Sequence, residues 1–302
     1  MTQDRPFLGI LLMLGFCVLA PLGDSMAKIL GVDVPLGMLV FVRFSVQAVI
    51  LLPLVWLTGQ SMRLPAGTLK FVILRTLLHI TGISLMFSAL QYLPLADAIA
   101  IAFVMPFIML ILGHYVLAEE VGRHRMLACA VGFIGTLLVI QPNFVEVGWP
   151  ALLPLGVAVV FALFMLVTRK IAKQIDAVPL QAISGLQASA VILPFLLLFP
   201  DQPGLGVMMP YGNMALMLFA LGAVGTFAHL LMTWSLRFAP SATLAPMQYL
   251  EIPIGTFIGL LVFGDLPNGL AAIGIIITVA AGLYIIVREQ RLSRRPMPQS
   301  VG

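Results

Sequence analysis

Ala89-Leu90-Gln91-Tyr92-Leu93-Pro94 and Ser235-Leu236-Arg237-Phe238-Ala239-Pro240 stand 146 residues apart and lie on each other without a gap. The same shift carries Phe103 onto Tyr249, Gly113 onto Gly259 and Glu119 onto Asp265, and a shift of 147 lays Gly135 on Gly282. The chain therefore reads as two copies of one unit, residues 1–145 and 146–290, followed by a basic tail over 291–302 that suits anionic headgroups and reads as disordered.

Composition says where such units reside. Of 302 residues, 61% are hydrophobic and only 9% charged, with a mean hydropathy of +1.11. Soluble domains run to about 45–50% apolar and about 25% charged, so this chain has too few polar groups to solvate a globular surface. Apolar runs near the roughly 20 residues that cross a bilayer fall at 7–29, 36–57, 69–90, 95–117, 125–141, 149–170, 180–200, 211–235, 241–263 and 268–287. The expected fold is an all-α integral membrane protein of ten transmembrane helices, arranged as two five-helix repeats. Five is odd, so the second repeat enters the bilayer from the opposite side. This inverted arrangement is what secondary transporters use to alternate access around a midplane site. The first run continues through Asp24 and Lys28 with no small-residue cleavage site, which makes it a span rather than a removable signal.

Charge fixes the expected orientation. Thirteen of the 16 Lys and Arg residues fall on one side of this ten-span arrangement, the connections on the other side carry none, and Lys28, Arg43 and Arg75 lie within spans. The positive-inside rule places both termini in the cytoplasm. The net charge of +4 is spent on this asymmetry and gives no reason to expect a nucleic-acid partner. Cys17 and Cys129 both lie in apolar runs and read as inert thiols. Phosphate-binding loops, H-E-x-x-H pairs and nucleophile elbows are missing, so neither an ATP-driven pump nor an intramembrane hydrolase is expected, and no cofactor or metal is called for.

Ionisable groups within spans are expensive and mark pathways or pairs. Asp24 and Lys28 share a face of the first span, and Arg43 lies at a similar depth in the second, which suits either a gating network or an ion pair that fastens two helices. Glu251, ten residues beyond Ser241, sits about 15 Å into the ninth span, near the bilayer middle. With Gln248 and Tyr249 beside it, it suits a cationic substrate, a coupling proton or a hydrogen bond to another helix. Pro246 and Pro253 flank it, and Pro106 occupies the fourth span, each freeing a carbonyl and allowing a bend. Arg75 and His79 share a face of the third span. Trp234 reads either as a stacking surface for a ligand or as an interfacial anchor. His79 and His229 are not repeat-equivalent and read as interhelical hydrogen-bond partners rather than a metal pair. Gly255 and Gly259 permit close helix contact, inside the bundle or in a homodimer.

Several of these features together resemble a known family. Asp24-x-x-x-Lys28, Arg43-Phe44, Ala89-Leu90-x-Tyr92-Leu93-Pro94, Ala242-Thr243-x-Ala245-Pro246-x-x-Tyr249-Leu250-Glu251 and Gly264-Asp265 resemble the EamA type of the drug/metabolite transporter superfamily, from about residue 7 to 287. The look is nearest to the bacterial branch that includes S-adenosylmethionine uptake carriers, with riboflavin carriers as relatives. The resemblance implies a multi-pass protein of the bacterial inner membrane that carries a small organic metabolite through the lipid bilayer, not an enzyme. S-adenosylmethionine-like or other cationic or zwitterionic cargo heads the expectation, with riboflavin, amino-acid or drug carriers as the alternative within the superfamily, and a non-transporting membrane sensor or scaffold as the alternative outside it. On this reading Glu251, Tyr249, Gln248, Trp234, His79 and Arg75 bind substrate, Asp24, Lys28 and Arg43 gate or couple, and a proton is the candidate coupling ion. The fourth span carries Met105-Pro106 where the ninth has Glu251-Ile252, so the carboxylate is not duplicated.

Alkaline phosphatase fused after Asp33 or Gly204 is expected to be active, and fused after Arg63 or Gln174 inactive. The reverse pattern would overturn the expected orientation.

Overall fold

The computed structural model describes residues 5–119, 122–140, 148–264 and 269–293, all helix and connection. The helices are α1 (Pro6–Leu30), α2 (Leu36–Leu57), α3 (Leu69–Leu90), α4 (Leu95–Ala102), α5 (Met105–Leu117) and α6 (Arg123–Ile140), then α7 (Leu152–Ala172), α8 (Ala177–Leu198), α9 (Met214–Phe238), α10 (Ser241–Gln248), α11 (Glu251–Phe263) and α12 (Gly269–Ser293). Helices α4 and α5 together form one span, Leu95–Leu117, and α10 and α11 another, Ser241–Phe263. Eight spans meet both the length and the hydropathy that a bilayer demands, and α6 with the apolar stretch Ala272–Ile285 of α12 completes ten helices. The connection around 142–147, Asp265 and the tail beyond Ser293 lie outside the described residues. The part of the expected tail that is described, 291–293, continues α12 as helix.

Packing follows the duplication. Helix α1 lies against α9 and α3 against α7; α2 lies against α8, and α6 against α12; α5 lies against α10, and α4 against α11. Exchanging each helix for its counterpart in the other half turns α1 with α9 into α7 with α3, and α5 with α10 into α11 with α4. The other two pairs map onto themselves. Each of these contacts joins one half to the other, so neither half is an independent body. Side chains turned outward, such as Trp56, Leu57, Leu216, Leu261 and Ile276, present the apolar surface that lipid requires.

Two spans differ from the continuous helices expected. The fourth is broken at Phe103-Val104 and the ninth at Tyr249-Leu250, positions related by the 146-residue shift. Proline is the local cause. Pro106 stands in the first turn of α5 and Pro253 in that of α11, so the carbonyls of Ala102 and Tyr249 lose the amide that would extend the helix. The chain tightens instead, with the Phe103 amide donating to Ala100 at 3.1 Å and the Leu250 amide to Met247 at 3.1 Å. Pro246 is accommodated within α10 without ending it.

Of the two expected small-residue contacts, Gly255 serves the bundle interior, where a Cβ would meet Ile99 at 2.7 Å, whereas Gly259 faces open space. A closer approach joins α6 to α12. A Cβ at Gly135 would lie 2.5 Å from Thr278 Oγ1 and 2.8 Å from the Gly274 carbonyl, so glycine is needed there. Gly135→Val is expected to cost about 1–3 kcal/mol through overpacking and to lower the melting temperature in detergent. Gly259→Val should leave it unchanged, and equal melting of the two variants would refute the packing argument.

Candidate functional site

The broken spans border a cavity. It lies between α1, α2, α3, α4, α7 and α9, with Met105 and Glu251, the first residues of α5 and α11, at its edge. Its free space, about 70 Å³, is several times the roughly 10–15 Å³ that one water occupies. Its walls are of three kinds. Phe16, Phe87, Phe103, Phe161, Met86 and Met105 give apolar and aromatic surface; Asp24 and Glu251 give carboxylates; Arg43 and His229 give nitrogen donors and acceptors.

The basic wall is tied into the protein. Arg43 Nη2 donates to the Gly225 carbonyl at 3.1 Å and to His229 Nδ1 at 2.8 Å, and a Cβ at Gly225 would come within 2.5 Å of the guanidinium carbon. Gly225 therefore lets the arginine lie flat on α9. Behind it, Gln47 donates to the Gln181 carbonyl at 2.7 Å, Gln181 donates to the Thr233 hydroxyl at 3.1 Å, and Arg75 reaches the same hydroxyl at 3.3 Å. Arg75 is fully buried. It also donates to Thr168 at 2.9 Å and Ser184 at 2.7 Å, and lies 4.7 Å over the Phe164 ring. Hydroxyls and an aromatic face thus replace the carboxylate that usually accompanies a buried cation.

The acidic wall has no such ties. Asp24 and Glu251 accept no hydrogen bond from the described residues. Asp24 faces the same cavity as Arg43, yet the arginine spends its donors on α9 instead of pairing with it. Lys28, which shares the face of Asp24, turns away and donates to the Leu93 carbonyl.

Other expected site residues lie around the cavity rather than on it. His79 stacks on His229 with ring centroids 4.3 Å apart, so the two histidines meet although they are not repeat-equivalent. Both His79 nitrogens lack partners. Tyr249 is fully buried between Phe103, 5.6 Å away, and Gly132, and its hydroxyl has no partner among the described residues. Gln248 reaches the Met165 sulfur at 3.3 Å. Trp234 packs in a separate cluster with Leu51, Val55 and Leu230, away from the cavity. The expected interhelical hydrogen bond is found for His229, to Arg43, and not for His79, while sequence reading left Gln47, Gln181, Ser184 and Thr233 unassigned. A polar residue in an apolar span was the available signal, but which helix it met was not.

One face of the bundle is shut below the breaks. The Arg5 amide bonds to the Phe238 carbonyl, and the ring nitrogen of His124 lies 2.7 Å from the Tyr284 hydroxyl, so Arg5 and the last turns of α12 lie toward this face. Here Glu119 accepts from the Ser241 and Ala242 amides, each at 3.2 Å, capping α10, and from Arg169 at 3.2 Å. Arg169 in turn donates to the Leu236 carbonyl at 2.8 Å, at the end of α9. A carboxylate on a helix N-terminus and a guanidinium on a helix C-terminus both complement the helix dipoles.

The chain is similar to known bacterial transporters along most of its length. The chain is 26% identical over 283 residues to an S-adenosylmethionine uptake transporter of Rickettsia prowazekii, covering 94% of each. It is 28% identical over 228 residues to a riboflavin transporter of Rhizobium johnstonii, covering 74% of this chain and 72% of that one. A riboflavin transporter of Vibrio cholerae is 27% identical over 299 residues, 97% of each. A solved crystal structure has the same fold, with a TM-score of 0.72 at 20% identity over 95% of this chain and 98% of that chain. The EamA-like transporter family model matches twice, over residues 7–141 and 148–288. With both halves matched, the chain belongs to the EamA-like transporter family: a duplicated, multi-pass membrane transporter of small molecules and not an enzyme.

Proposed function

We propose that this transporter is a secondary carrier of a cationic or zwitterionic organic metabolite of the S-adenosylmethionine kind, working by alternating access between the halves 1–145 and 146–290. The observation that carries it is the cavity at the two helix breaks, where Asp24, facing Arg43, and Glu251 accept no hydrogen bond from the described residues and stand among aromatic and methionine side chains. Carboxylates kept in an apolar cavity without protein donors suit a cation that arrives with the cargo. Riboflavin is the second reading, favoured by the ring-lined wall and by the relatives named for it. Either molecule exceeds the present free space of about 70 Å³; ligand pockets run to roughly 300–1,000 Å³. Binding must therefore part the walls.

The closed face fits the same cycle. The hydroxyls of Ser235, Ser241 and Thr243 and the side-chain oxygen of Gln248 are buried without partners among the described residues, an arrangement that costs energy unless these groups meet water when that face opens. The Glu119–Arg169 clasp would then hold the closed state. The same reading places both termini in the cytoplasm of a bacterial cell, the protein in the inner membrane, and a coupling proton at Glu251.

Counterflow in proteoliposomes tests the cargo, with S-adenosylmethionine, riboflavin or amino acids loaded inside and the matching label outside. Wild type is expected to accumulate S-adenosylmethionine transiently. Glu251→Gln should slow it at least about tenfold, equivalent to roughly 1.4 kcal/mol, and remove any acceleration by a pH gradient. Parental rates and parental pH response in Glu251→Gln would end its central role.

The clasp is tested separately in a background with Cys17→Ala and Cys129→Ala. The pair is part-buried and Glu119 also caps α10, so Glu119→Ala removes both ties and should favour the open state. A Thr243→Cys reporter is then expected to react faster with an impermeant maleimide added on the face that bears the termini. An unchanged labelling rate would count against the clasp as a gate.

A further inference from the structure

The hydrogen bonds at the basic wall leave a buried ring nitrogen without a partner among the described residues. Arg43 Nη2 lies 2.8 Å from His229 Nδ1, and a guanidinium nitrogen can only donate. Nδ1 also lies 3.1 Å from the Gly225 carbonyl, but that oxygen already accepts from Arg43 Nη2 at 3.1 Å, and a protonated Nδ1 would set two N–H groups against each other at 2.8 Å. The tautomer that suits the arginine has its lone pair on Nδ1 and its proton on Nε2. That Nε2 is buried and has no partner among the described residues, although the ring forms part of the cavity wall. A buried orphan donor is costly and uncommon. The arginine that fixes this tautomer lines the same cavity and makes no ion pair among the described residues, and its bond to Gln47 is long, at 3.5 Å. Cation and orphan donor thus share one wall, facing a cavity whose other polar residues are Asp24 and Glu251.

We propose that Arg43 and His229 form a carboxylate-reading corner, which receives the anionic group of a zwitterionic cargo while Asp24 and Glu251 receive its cationic group. This rests on the carrier reading above and narrows it, because it makes the carboxylate a requirement for recognition. His229 would donate through Nε2 and Arg43 would supply the charge. Gly225 is part of the design, since it holds the guanidinium against α9 where both groups reach one oxygen pair. A cargo with only a positive charge would leave the orphan donor unsatisfied.

The probes are labelled S-adenosylmethionine and its decarboxylated analogue, which keeps the sulfonium and the amine, each exchanged against its own unlabelled form in proteoliposomes. Wild type is expected to prefer S-adenosylmethionine at least about tenfold, the kind of discrimination a site gains from leaving its polar groups unpaired with the wrong ligand. His229→Phe, which keeps the ring but has neither nitrogen, should bring that ratio close to one. His229→Gln, whose amide offers an oxygen to Arg43 and an N–H to the cargo, should restore much of it. Equal wild-type rates for the two probes would overturn the corner without recourse to any variant, as would a full preference retained in His229→Phe. Exchange of riboflavin alone would also overturn it while leaving the carrier intact. No exchange of any probe would remove the proposed cargo class together with the corner.

Discussion

In hydrocarbon every backbone amide and carbonyl must find a partner within the protein, and this single constraint organises the rest of the structure. Continuous helices meet it without help, which is why spans one, two and three are unbroken over 22 to 25 residues. The fourth and ninth spans violate it, each at a proline-linked break. Such breaks are tolerated where other protein or an aqueous cavity surrounds them, and both lie at the centre of the interface between the halves. The break and the cavity therefore explain each other. Proline frees carbonyls, the freed backbone must be kept from lipid, and the place kept from lipid is where a polar cargo can be held.

Buried charge follows the same rule but is solved differently on the two walls. Arg75 is satisfied by Thr168, Ser184 and Thr233 and by the face of Phe164, so its charge is a fixed structural element that draws α3, α7, α8 and α9 together. Arg43 is held on α9 yet keeps a face on the cavity. Asp24, which faces Arg43, and Glu251 accept no hydrogen bond from the described residues. Groups that the protein has already satisfied stiffen it, and groups it leaves unsatisfied are the ones the proposed cargo would meet. Polarity within the bundle is thus graded from structural to functional over a few residues.

Much of this was legible in the sequence, because span length and hydropathy are one-dimensional signals. The helix limits at 36–57 and 69–90 coincide with the structure, and the prolines at 106 and 253 marked the spans that break. Asp24, Arg43 and Glu251 were visible as charges in apolar runs, and all three reach the cavity. What was not legible is the rotation of each helix about its axis. Trp234 and His229 are five residues apart on α9, and only the histidine faces the cavity. In a helix hydrophobic on all sides, periodicity cannot tell the face that meets lipid from the face that meets a neighbour. The network from Gln47 through Gln181 to Thr233 was hidden for a related reason, since it depends on which helices of the two halves meet.

The duplication also constrains mechanism through the one place where it fails. The breaks are repeat-equivalent, but Glu251 at the start of α11 faces Met105 at the start of α5. If exchange of access amounts to the two halves trading conformations, the contacts of α5 with α10 and of α4 with α11 can swap roles, because each has a counterpart in the other half. The carboxylate cannot swap, having no counterpart. Under the proposed alternating access, a symmetric scaffold with an asymmetric charge would move its barriers from one face to the other while the charged centre stays at the break. Two carboxylates, one per half, would instead compete for a single cation, at the cost of burying a second charge that no side chain at position 105 incurs.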